Sequence, residues 1–293
     1  MNIYDCFMYY DEDMVLDLRL NILNKYVKKF IITESIYTHS GKKRDLRFNI
    51  NNFNKFKDKI EYIVVEELPN SIEALETEDT LNQKNSKILL NALRRENYQR
   101  NRLMDGINKT NDNDLIIISD VDEIPNLTKF KYKYKFNFFI QKMIYYKLNL
   151  KHPTLNWVGP RACKRKDLVS PQWLRNIKDK DYLYWRLDVL FSNKKYFNIN
   201  RIYDGGWHFT SIKSPEDIHF KLSHFLHHLE YEESKLNVDD MKKMVKEKKV
   251  LYDHASDKRG SKWSSSISLE KIPDNELPDF IVKNINKYKN WLD

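Results

Sequence analysis

The chain has 293 residues, 41% of them hydrophobic and 13% aromatic, which supplies a full core and excludes global disorder. Lys and Arg exceed Asp and Glu by nine, a balance that suits an anionic or phosphorylated partner such as a sugar nucleotide, a lipid-linked glycan, nucleic acid or an anionic membrane face. Two cysteines exclude a disulfide framework, no stretch of ~18 apolar residues offers a membrane span, and the first residues lack the marks of a signal peptide, so the expectation is a soluble cytoplasmic protein whose charge is compatible with peripheral membrane contact.

Ile3 to Tyr9 reads as a first strand, with Cys6 as an ordinary buried thiol. Met14, Val15, Leu18, Ile22, Leu23 and Tyr26 then recur at helical spacing behind an acidic opening at Asp11 to Asp13. Phe30 to Glu34 is a second strand, followed by a polar loop from Ser35 to Arg47, and Tyr62 to Val65 is a third. A helical pattern runs from about Asn82 to Ile107. Its apolar stripe of Leu89, Leu93, Leu103 and Ile107 is interrupted by Glu96 and Arg100. Those two form an ion pair at the helix edge, or Arg95, Arg100 or Arg102 reaches a phosphate.

Leu115 to Ile118 reads as a buried parallel strand, which stops at Ser119-Asp120-Val121-Asp122-Glu123 before Pro125 ends the ladder. Ligands of open α/β sheets bind at such carboxyl ends. Clustered carboxylates repel one another, and a divalent cation removes that cost; hard oxygen donors suit Mg²⁺ or Mn²⁺. The alternative is an acidic turn after a core strand. Strands separated by helical patterns predict βαβ units and a mostly parallel sheet flanked by helices, hence a single-domain α/β fold.

From Ile124 to Lys166 there is no acid but eleven Lys or Arg. Residues 129 to 136 alternate Lys with Phe or Tyr, which predicts a strand with one wet face. The same alternation fits a single-stranded nucleic-acid surface, but a solvated face is the commoner meaning, and no nucleic-acid partner is expected. Phe138 to Leu150 is strand-like, and Trp157, Trp173 and Trp185 are rings of the kind that stack on sugars. In Asp204 to Phe209 the paired glycines allow close backbone approach, and His208 is either a metal or phosphate ligand or a structural histidine. Ser214-Pro215-Glu216-Asp217 opens a helix carrying Phe220, Leu222, His224, Phe225, His227 and His228, without zinc-site spacing. Asn237 to Tyr252 is expected as a basic helix and Leu277 to Leu292 as a closing helix.

Three stretches together resemble glycosyltransferase family 17, the bisecting N-acetylglucosaminyltransferases and their bacterial and viral relatives. They are Tyr4-Asp5-Cys6-Phe7; Arg95 to Arg100 with Ser119 to Pro125; and Gly206-Trp207-His208-Phe209 followed by Glu216, Lys221-Leu222 and His227. The resemblance implies a GT-A-like fold, with a nucleotide-sugar half over 1–125 and an acceptor-side half with C-terminal helices over 126–293. It implies transfer, with inversion, of N-acetylglucosamine or a similar sugar from a UDP-sugar to a hydroxyl of a glycan or lipid-linked glycan, with Mn²⁺ or Mg²⁺. Asp120, Asp122 and His208 are then the expected metal contacts, and Glu123 orients the loop. Asp5, Glu34, Arg95, Arg100, Asp120 and Trp207 are expected against the nucleotide sugar. Inversion needs a carboxylate to take the acceptor's proton; Glu216 is the first candidate, with Asp217 and Glu230 as alternatives.

Two rival readings stand beside this one. A haloacid-dehalogenase-like phosphatase would use Asp120 as nucleophile, but it calls for Thr or Val where Ile124 stands. A non-enzymatic polyanion or nucleic-acid binder would rest on the acid-free segment.

Overall fold

Four parallel strands carry the N-terminal half: β1 (Ile3–Met8), β2 (Lys29–Ser35), β3 (Ile60–Val65) and β4 (Leu115–Asp120). The computed structural model describes residues 1–128, 130–223, 228–250, 252, 263 and 267–293. Lys129, His224, Phe225, His227 and Leu251 lie outside the described residues, as does the side chain of His228. The strands are linked by α1 (Asp13–Leu23), a 3-10 stretch at Ile50–Lys59, and α2 (Leu81–Asn101) with α3 (Met104–Ile107). Apolar side chains leave this sheet on both faces. Phe7, Ile32 and Ile117 join one core, with Leu16 and Leu20 of α1; Cys6, Ile31, Ile116 and Ile118 join the other, with Leu103 and Ile107. Burial on both faces explains the unbroken aliphatic run of β4.

The strand order is β3-β2-β1-β4. The chain therefore winds outward from β1 and then returns to its other side, which makes the carboxyl ends of β1 and β4 the point where strand order reverses. Met8 pairs with Asp120 there.

β5 (Glu123–Pro125), β6 (Phe136–Tyr145), β7 (Leu150–Lys164), β8 (Ile199–Ile202), β9 (Gly206–Thr210) and β10 (Glu270–Lys271) extend the same sheet. β7 runs antiparallel to both β4 and β6, and β9 lies parallel to β6 and antiparallel to β5. The remaining helices are α4 (Pro171–Asn176), α5 (Leu187–Leu190), α6 (Pro215–Leu222), α7 (His228–Ser234), α8 (Val238–Glu247) and α9 (Asp279–Lys283). The result is a mixed α/β, Rossmann-like fold with one sheet flanked by helices. No described helix is long and apolar enough to cross a membrane.

Several expected elements differ in extent. The helix expected over 82–107 breaks after Asn101, whose side-chain oxygen accepts the backbone N–H of Gln172 at the start of α4. The strand expected over 129–136 begins only at Phe136. Before it, the Asn137 amide donates to the carbonyl of Tyr134, and Lys133, Lys135 and Lys164 lie over aromatic faces, so the alternation reflects ring–ammonium packing rather than a ladder. The basic helix stops at Glu247, because Lys248 adopts the left-handed conformation at φ 55°. The closing helix is α9 plus a 3-10 turn over Ile285–Trp291, docked by Ile281 and Tyr288.

Candidate active site

A cavity of about 410 Å³ opens at the carboxyl ends of β1 and β4. Met8 at the end of β1 lines it with Tyr9, Tyr10 and Glu12 just beyond, and Asp120 at the end of β4 lines it with Val121 and Asp122 just beyond. This is the reversal point that the strand order creates.

The acidic turn is wired from beneath by a residue with no apparent business in a core. Arg19 of α1 is fully buried and forms a two-pronged ion pair with fully buried Asp5, at 2.6 and 2.7 Å. Its remaining N–H groups donate to the carbonyls of Asp120, Val121 and Glu123 and to the Ser119 hydroxyl. One guanidinium thus satisfies the backbone acceptors of a turn that leaves the sheet ladder. Asp5 orients Arg19 and does not line the cavity.

Glu123 is the second anchor. Its fully buried carboxylate accepts Trp157 Nε1 at 2.7 Å, Arg175 at 2.7 and 2.9 Å, and the backbone N–H of Asp120 at 3.1 Å. Asp120 projects further and pairs with Arg100 at 3.0 Å and Arg175 at 3.1 Å. Burial alone would raise its carboxyl; the two guanidinium groups outweigh this and hold it far below the usual carboxylate range. Arg100 also pairs with Glu96 at 2.7 Å, so it is an i,i+4 partner and a cavity residue at once.

Asp122 is brought to His208 by long-range register. Glu123 and His208 are partners across β5 and β9, and the N–H of Phe209 donates to the carbonyl of Asp122 at 2.8 Å. His208 Nε2 stands 3.6 Å from Asp122 Oδ1, and the Trp157 ring lies 5.0 Å from the imidazole. Burial would favour neutral imidazole, but the Asp122 carboxylate prevails and raises the His208 value. Lys221 of α6 closes the far side, 3.1 Å from Glu12 and 4.0 Å from Asp122. Burial acts to raise the Glu12 carboxyl, and the ammonium groups of Lys221 and Lys213 reverse this and lower it. Tyr9, Tyr10, Tyr37, Tyr145 and Trp157 give the cavity an aromatic wall. Neither cysteine lines the cavity; both are buried, and burial pushes Cys163 up to about 12 and Cys6 well above its ordinary value, which disfavours the thiolate.

Among the described residues, no group of three or more His, Cys, Asp or Glu side chains is arranged to hold a metal ion. Asp120 is taken up by two arginines, which leaves Asp122 and His208 as the converging pair. That donor set still fits Mg²⁺ or Mn²⁺, since such ions are usually held by one or two side chains and complete their shell with substrate phosphates. Two buried polar atoms at the cavity, His208 Nδ1 and Glu96 Oε2, have no hydrogen-bond partner among the described residues. Unmet polar groups of this kind are expected where a ligand binds.

Other expected site residues are placed elsewhere. Glu34 is fully buried and fixes the loop after β2, accepting the N–H groups of Arg47 and Phe48 and the Tyr62 hydroxyl. Arg95 donates to the carbonyl of His39 and packs on Gly41. Trp207 is a core residue whose Nε1 donates to the carbonyl of Glu276. Glu216 is 56% exposed and pairs with Lys242 at 3.1 Å, while Asp217 accepts the Ser214 hydroxyl at the start of α6. Glu216, Asp217 and Glu230 do not line the cavity. The paired glycines serve packing: Gly206, at φ +127°, lies so close to β5 that a Cβ would stand 2.1 Å from the carbonyl of Ile124.

Sequence reasoning missed Arg19, Glu12 and Arg175. Arg19 carried a legible signal, because it sits among Val15, Leu16, Leu20 and Leu23 on the buried stripe of α1, as Arg100 does on α2. Glu12 and Arg175 carried none, since both lie in ordinary polar contexts.

A cavity lined by acids, Arg100 and Lys221 at the reversal point of a parallel sheet is the arrangement of Rossmann-like, nucleotide-using enzymes. The family described as Glycosyltransferase family 17 matches residues 1–152, more than half of the chain. The chain belongs to this family and is a glycosyltransferase, which implies a sugar donor and a glycan acceptor. The match takes in Glu12, Arg19, Arg100 and the acidic turn; Trp157, Arg175, His208 and Lys221 come from beyond it. No curated protein matches the chain.

Proposed function

We propose that the chain transfers N-acetylglucosamine, or a closely similar sugar, from a UDP-sugar to a glycan hydroxyl with inversion, on a GT-A-like fold. The observation that carries this reading is the convergence of Asp122 and His208 at the reversal point, beside Arg100 and Lys221 and under an aromatic wall. Cationic side chains there suit a diphosphate, and rings suit a base or a sugar face.

Asp122 and His208 are the residues that would hold Mn²⁺ or Mg²⁺. Such a cation, when bound, would offset the negative charge that builds on the departing diphosphate. Asp120 pairs with both Arg100 and Arg175, and Arg100, which lines the cavity, would meet a phosphate. Lys221 supplies a fixed positive charge on the same side.

Inversion in one displacement requires a carboxylate that faces the acceptor hydroxyl. Glu12 meets that requirement better than Glu216, because it lines the cavity and Glu216 does not. The carboxylate would take the hydroxyl proton as the new glycosidic bond forms and the bond to the diphosphate breaks.

A donor screen tests the reading. UDP release from UDP-N-acetylglucosamine, stimulated by Mn²⁺ or Mg²⁺, is the expected result. Turnover of other nucleotide sugars only, or turnover unaffected by chelation, would overturn the donor and the cation assignments respectively.

A further inference from the structure

Residues 178–194 form a loop that leaves the body directly after α4. It is tied at its base: the N–H of Lys178 donates to the carbonyl of Lys194 at 2.8 Å, and Trp173 Nε1 to that of Asn193 at 2.6 Å. Arg201 of β8 grips the outgoing limb of the loop through Asp179 and Asp181, at 2.6 and 2.7 Å. Val189 of α5 is 4% exposed.

The apex is the reverse of what a solvated loop requires. Of the nine residues 183–191, six are large and apolar or aromatic, and each is more than half exposed: Leu183, Tyr184, Trp185, Leu187, Leu190 and Phe191. Phe191 is 89% exposed. A contiguous exposed set of this kind marks an interaction surface. A collar of charge surrounds it. Residues 178–201 include six basic and three acidic residues, and all three acids are already neutralised in ion pairs with Arg186, Lys195 and Arg201. Among the described residues, Lys178, Lys180 and Lys194 form no ion pair, and all three are exposed.

We infer that the 178–194 loop docks this enzyme on an anionic bilayer. Trp, Tyr, Phe and Leu at an apex are suited to the headgroup boundary, and lysines around them to acidic lipid. A second copy of the chain is the less fitting occupant, because two such collars would repel. The loop shares α4 with the site, since Gln172 bonds Arg100 and Arg175 bonds Asp120. Docking there would hold the cavity in fixed relation to the membrane surface, where a lipid-linked acceptor would be found. The inference rests on the loop alone and is separate from the donor and cation reading.

The test is co-sedimentation of the full chain with vesicles of phosphatidylcholine plus phosphatidylserine, against phosphatidylcholine alone, with the oligomeric state read by light scattering. The wild type should partition onto the acidic vesicles and less onto the neutral ones. Trp185→Ser/Phe191→Ser should lose about tenfold or more in partitioning with circular dichroism unchanged. Lys178→Glu/Lys180→Glu/Lys194→Glu should lose binding to the acidic vesicles and approach the level seen with neutral ones. No partitioning by the wild type, equal partitioning by the Trp185/Phe191 variant, or a dimer that this variant dissolves would overturn the inference.

Discussion

Arg19 and Asp5 meet at 2.6 Å with both side chains fully buried, and this pair holds the acidic turn in place. Where the turn leaves β4, Arg19 supplies donors to the carbonyls of Asp120 and Val121. Breaking a buried pair leaves an uncompensated charge, which costs about 3–5 kcal/mol. Arg19→Met should therefore lose roughly that much stability in urea unfolding. Arg19→Lys should recover only part of it, because an ammonium cannot reproduce the fork. Near-wild-type stability in Arg19→Met would show that the turn is held by other contacts.

Removing Asp122 separates the metal assignment from folding. Asp122→Ala deletes the anion shared by His208 and Lys221, and donor turnover should fall by roughly 100-fold or more. Calorimetric binding of Mn²⁺ in the presence of UDP should weaken in parallel, while the circular dichroism spectrum is kept. Full activity with unchanged Mn²⁺ binding would end the assignment.

Glu12 and Glu216 make opposite predictions as proton acceptors. Glu12→Gln should still bind donor, measured by UDP-sugar titration, and lose transfer by about 100-fold or more. Glu216→Gln should transfer at nearly the wild-type rate, because its partner is Lys242 outside the cavity. The reverse outcome would return the role to Glu216.

The same carboxylate sets a pH dependence. Glu12 has a lowered value in the folded protein, so its stabilising contribution is complete above the unfolded glutamate value of ~4.3 and fades as pH falls through the folded value. Thermal midpoints recorded from neutral to acid pH should fall for the wild type and fall less steeply for Glu12→Gln. Parallel curves would show that Glu12 is not paired in solution as described.

Gly206 tests the register that delivers His208. A Cβ there would meet the Ile124 carbonyl at 2.1 Å and the Asn126 N–H nitrogen at 2.8 Å, both backbone atoms that cannot rotate aside. Gly206→Ala should cost about 3 kcal/mol from the strained φ and the clash. Urea unfolding would detect it, and a cost below about 1 kcal/mol would contradict the close approach of β9 to β5.

The sequence by itself determined the features set by local period and turn chemistry. The aliphatic runs of β1, β2 and β4, the acidic turn before Pro125, and the Ser-Pro start of α6 are all legible, because each depends on residues within a few positions. Tertiary structure alone decided which charged groups share the cavity. Arg100 reaches Asp120 while Arg95 turns to His39, although both stand on one helix. Asp5 lies under the site rather than in it, and Glu216 points away to Lys242. His208 reaches Asp122 only through the pairing of β5 with β9. Side-chain direction and strand register between distant segments are settled by packing of the whole sheet, and no local pattern encodes them.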